Sequence, residues 1–66
     1  MEVTENVALY IEKMSINLSE LSRKSEIGYP ALYDSLKNRG RKRALRADEL
    51  LRICKVLNVD PMSFAK

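Results

Sequence analysis

Histidine and tryptophan are missing from this 66-residue chain, cysteine and phenylalanine occur once each, and glycine and proline only twice each. With no histidine and Cys54 alone, the sequence offers neither a zinc ligand set nor an internal disulfide. No Gly-rich phosphate loop is present either, so neither an enzyme nor a cofactor is expected. No apolar run approaches the roughly 20 residues that span a bilayer, so no membrane role is read. The opening Met-Glu-Val-Thr-Glu lacks the basic stretch of a secretory signal. A reduced, cytoplasmic setting is the expectation. Repeats, low-complexity segments and the alternation of a β-strand are also absent.

What is present suits one small folded domain, residues 1–66, with 45% apolar and 32% charged side chains. A chain of this size buries only about 60% of its unfolded surface, so its core has to be tight. The net charge is +3, but it is unevenly spread. Residues 37–46 hold six of the 12 basic side chains and no acid, which leaves six basic against nine acidic elsewhere. A concentrated cationic segment on a mildly acidic body points to a polyanion on one face.

Apolar spacing predicts four helices. In 4–14, Val3, Val7, Tyr10, Ile11 and Met14 share a face, with Thr4 as the cap. Asn17 caps a second helix, 18–25, with Glu20 placed for a capping box and Leu18 and Leu21 inward. Gly28 is the residue expected to take the unusual backbone angles of the turn that follows. Tyr29-Pro30 opens a third helix, 29–37, because proline costs nothing in a first turn, and Leu32 and Leu36 face inward. A charged loop containing Gly40 and Leu45 leads to a fourth helix, 47–57. There Ala47, Leu50, Ile53, Cys54 and Leu57 line one face, while Asp48, Arg52 and Lys55 point to water. Asn58 is expected to be left-handed, and Asp60-Pro61 to start a last turn in which Met62 and Phe64 close the core. Two short helices joined by a tight turn over 17–37 form a helix-turn-helix pattern.

Leu21-Ser22, Ile27, Leu32 and the run Leu50…Ile53…Leu57-Asn-Val-Asp60 together resemble the phage Cro/lambda-repressor-like (XRE-type) helix-turn-helix DNA-binding domains. Ala31-Leu-Tyr-Asp-Ser-Leu36 resembles the antitoxin-type branch of that family. The likeness spans nearly the whole chain and lies in the order and separation of apolar positions. It implies an all-α, compact five-helix domain of prokaryotic or phage type. Three positions depart from the family pattern. Glu26 stands where the turn glycine is usual, which is expected either to loosen the turn or to shift it toward Gly28. Leu18 stands where a phosphate-bracing glutamine is common, and Pro30 where a polar base reader is common.

The resemblance implies a sequence-preferring regulator of transcription, in the first instance a repressor, bound to double-stranded DNA. Helix 29–37 would lie in the major groove and the basic 37–46 loop on the phosphates. The residues expected at DNA are Ser19, Tyr29, Pro30, Ala31, Tyr33, Lys37, Asn38, Arg39, Arg41, Lys42 and Arg43. Two roles are open to Tyr29 and Tyr33: contact with phosphates or thymine methyls, or a ring that lids the core. Ser19 is either a phosphate donor at a helix N-terminus or a plain solvent-exposed serine. Helix 29–37 contains no arginine, glutamine or asparagine, so phosphate contacts are expected to dominate affinity. Cys54, on an inward face, is expected to act as a small hydrophobe. The resemblance also leaves room for a homodimer, and for a protein-binding module whose main partner is a toxin or another regulator.

Overall fold

A computed structural model of the chain describes residues 3–38, 40 and 43–65. Among them are four α-helices, α1 (Val3–Lys13), α2 (Leu18–Ser25), α3 (Tyr29–Leu36) and α4 (Ala47–Leu57), followed by a 3-10 turn, Pro61–Phe64. The fold is all-α, with four helices in place of the five expected. The last element is a single four-residue turn, opened by Pro61 after Asp60, whose carboxylate accepts the Met62 N–H at 3.0 Å. Four residues are too few to repay α-helix nucleation.

The core is one cluster drawn from every element. Val7 and Ile11 of α1, Leu18 and Leu21 of α2, Leu32 and Leu36 of α3, and Ile53 and Cys54 of α4 are all buried in it, with Ile27 and Phe64. α2 lies against α3 and α4, while α1 covers α3 and meets the 3-10 turn. The Phe64 ring stands edge-on to Tyr10, centroids 5.5 Å apart, and the Asn6 amide donates to the Phe64 carbonyl at 2.8 Å. These contacts return the end of the chain to its beginning.

Most inward faces are as the spacing predicts, and the exceptions have local causes. Thr4 is inside α1 rather than its cap, and its hydroxyl accepts the Leu45 N–H at 2.9 Å. Met14 falls past the end of α1 and is 54% exposed. In α4, Ala47 is exposed and Glu49 is buried, because Glu49 accepts the Arg46 N–H at 2.9 Å and so folds back over the helix start. α3 ends at Leu36, with Lys37 as its C-cap. Phe64 enters the core, but Met62 points outward and is 68% exposed. Asn17 caps α2 as expected, accepting the Glu20 N–H at 3.0 Å, but the Glu20 carboxylate pairs with Arg23 instead of returning to the cap. Asn58 is left-handed, as expected.

The turn between α2 and α3 is built differently from the expectation. Glu26, not Gly28, takes the left-handed conformation, at φ 62° and ψ 29°, while Gly28 sits at φ −56° as the N-cap of α3. Two hydroxyls brace the turn: Ser22 donates to the Ile27 carbonyl, and Ser25 donates to the Leu21 carbonyl at 2.6 Å. Ser22 thus sets the approach of α3, a role its place in the sequence does not announce.

A left-handed backbone at a residue other than glycine, asparagine or aspartate costs on the order of 1 kcal/mol. Glu26 is exposed, so its side chain has no core contact to lose. Glu26→Gly is therefore expected to stabilise the domain by about 1 kcal/mol, read as a higher urea midpoint. A lower midpoint would show that the backbone at 26 is unstrained.

Candidate functional site

The outward face of α3 is formed by two tyrosines four residues apart. Tyr29 and Tyr33 stack on each other, with centroids 6.2 Å apart and planes inclined by 29°, and each is 43% exposed. Pro30 is exposed beside them, and Ala31 is half-buried against the core. Lys37, just past the helix, is exposed, as is Ser19 in the first turn of α2. Asn17 caps that turn and leaves the Ser19 side chain at the surface.

The polar side chains of α3 are drawn into the protein's own structure. Asp34 Oδ1 accepts from the Asn38 amide at 3.1 Å, and Asn38 Oδ1 accepts the Gly40 N–H at 3.0 Å. Ser35 Oγ accepts from Arg43 at 2.8 Å. Asn38, expected at DNA, therefore shapes the start of the loop.

Arg43, also expected at DNA, turns inward. Its guanidinium forms a two-pronged pair with Glu49, at 3.1 Å to Oε1 and 2.8 Å to Oε2, with side chains only 30% and 10% exposed. Two planar groups matched in this way make the stronger kind of charge-assisted contact. The Arg43 hydrogen bonds hold the Glu49 carboxyl below the usual carboxylate range, against the opposing effect of burial, and Glu49 in turn raises Arg43. Leu45 N–H to Thr4 fixes the far end of the loop to α1. Arg46 pairs with Asp48 at 3.3 Å, but both are well exposed and the contact is worth little. Arg39, Arg41 and Lys42 lie outside the described residues.

Two other features bear on function. A groove between α1 and the end of α3 is lined by the acids Glu5 and Glu12 and by the cations Lys37 and Arg43, so its charge is mixed. Cys54 is buried and its thiol pushed up by that burial and by Asp60, so it is not set up as a nucleophile. Among the described residues, no group of three or more acidic, cysteine or histidine side chains is placed to hold a metal, and no helix is long and apolar enough to cross a membrane.

The model of the Cro/C1-type helix-turn-helix DNA-binding domain matches residues 7–62. Comparison with the curated proteins and with the solved structures gives no match. The matched span runs from the middle of α1 to the 3-10 turn, and so takes in α2, α3, the basic segment and the Arg43–Glu49 pair.

Because Glu49 is held below its unfolded value of about 4.3, its contribution is present above that pH and lost as pH falls through the folded value. Glu49→Gln is expected to cost about 2 kcal/mol at neutral pH. The difference between the two proteins should shrink as pH falls below the unfolded value and close only where the carboxyl of the folded wild type is itself neutral. Urea midpoints measured across pH check this, and a gap that stays constant into acid would contradict it.

Proposed function

The chain belongs to the Cro/C1-type helix-turn-helix DNA-binding domains, and from that membership we propose that it is a repressor of transcription that sets α3 in the major groove of duplex DNA. In such domains the second helix of the motif enters the groove and the first crosses the backbone. The observation that carries this reading is the outward face of α3: two exposed tyrosines and Lys37, followed directly in the chain by the cationic segment.

The cations divide into two groups. Lys37, Arg39, Arg41 and Lys42 take phosphates on the rims of the groove, where each displaces a condensed counterion. Arg43 and Asn38 hold the segment in place and do not themselves touch DNA; the Arg43 charge is already met by Glu49. Ser19, exposed in the first turn of α2, donates to a phosphate where the helix crosses the backbone. Neutralised phosphates supply most of the affinity, and the face of α3 supplies a sequence preference.

Four phosphate contacts predict that log affinity for duplex DNA falls with log salt at a slope of roughly −3 to −4. Reversing Arg39, Arg41 and Lys42 to glutamate should flatten that slope by about 3 and leave the helical circular dichroism signal intact, since Arg43 and Glu49 are untouched. A slope near zero in the wild type, or binding that survives the reversal unchanged, would contradict the proposal.

A further inference from the structure

The face that α3 offers is unusual in what its polar groups are doing. Asp34 Oδ1 receives the Asn38 amide and Ser35 receives Arg43, so both are engaged within the protein. Lys37 is a point charge beyond the end of the helix. What remains toward a base edge is mainly carbon: the rings of Tyr29 and Tyr33 and the exposed Pro30. Hydrogen-bonded reading of guanine or adenine uses forked donors such as arginine, asparagine or glutamine, and α3 has none.

We propose, on the footing of the DNA-binding reading above, that α3 selects duplexes by apolar contact of the Tyr29–Tyr33 pair with the C5-methyl groups of thymine. That methyl is the one apolar group that the standard base pairs present in the major groove. The stacking supports this role for the pair. Rings with centroids 6.2 Å apart and planes inclined by 29° lie side by side in an offset pair, which leaves edges and faces for a partner. Such a surface suits van der Waals contact with methyl groups rather than insertion of a base between the rings. Spacing by four residues on one helix, with each ring limiting the other's rotamers, keeps the surface in one shape before binding. Ser22 and the buried Leu32 fix the helix beneath it.

The test uses an alternating A·T duplex and the same duplex with every thymine replaced by uracil, which removes the methyl and leaves the hydrogen-bonding edge unchanged. Each is titrated with the wild-type chain, with the double variant Tyr29→Phe and Tyr33→Phe, and with the double variant Tyr29→Ala and Tyr33→Ala. Burying one methyl predicts a preference for the thymine duplex of about fourfold, and more where several are contacted. The phenylalanine variant should keep that preference and the alanine variant should lose it. Both tyrosines are surface residues, and circular dichroism confirms that each variant is folded. Equal wild-type affinity for the two duplexes would overturn the inference while leaving duplex binding in place. So would a preference that disappears with phenylalanine, which would assign it to the hydroxyls, or one that persists with alanine. Failure of the wild type to bind either duplex would overturn this inference and the DNA-binding reading together.

Discussion

The two-pronged pair between Arg43 and Glu49 is the contact that joins the proposed DNA face to the body of the protein. Glu49 receives the backbone N–H of Arg46 at the start of α4 and the guanidinium of Arg43 from the loop, and Arg43 also reaches Ser35 on α3. One carboxylate therefore links the end of α3, the final residues of the basic segment and the beginning of α4. A small domain has few buried contacts with which to fix a long loop, and a charge pair this well shielded supplies direction as well as energy. With Leu45 tied to Thr4, the loop returns to the body at a fixed point. On either side of residues 41 and 42, Asn38 and Arg43 are thus both bonded to side chains of α3.

The same contacts decide which side chains are left for a partner. The polar groups of α3 and two of the segment's cations, Arg43 and Arg46, are engaged with neighbours inside the protein. Two stacked rings, a proline and Lys37 remain at the surface. A family whose members bind DNA supplies the general role, and the division of labour among these residues gives that role its chemistry in this chain. In the proposed binding mode, affinity falls to the cations and preference to the rings.

Much of the fold was legible in the sequence, for reasons that can be named. The boundaries of α2 and α4 follow from strong local signals: the Asn17 cap, the left-handed Asn58, and apolar faces of regular period. The site was legible only in outline. Tyr29, Tyr33 and Lys37 reach the surface because a spacing of four sets them in a stripe along the flank of the Leu32–Leu36 face, and Pro30 because it lies opposite that face. Arg43 could not be told from its neighbours, because a cation within a basic run looks solvated and its partner lies six residues ahead across a loop without periodicity. Glu49 reads equally well as a charge favouring a helix N-terminus, and only its position three residues after Arg46 hints at a bond back to the backbone. At the turn, glycine's freedom drew attention to Gly28, whereas the bend lies at Glu26, held by Ser22. The fifth helix implied by the resemblance proved to be one 3-10 turn.

The central claim, that a braced α3 and the segment after it meet duplex DNA, is tested most directly by following backbone amide resonances as a duplex is added. The account predicts shifts concentrated at Ser19, along Tyr29 to Lys37 and through the basic segment, with the outer face of α4 around Leu51 and Lys55 unmoved. Shifts centred on α4 and Met62, or on Leu9 and Glu12 of α1, with α3 silent, would contradict it.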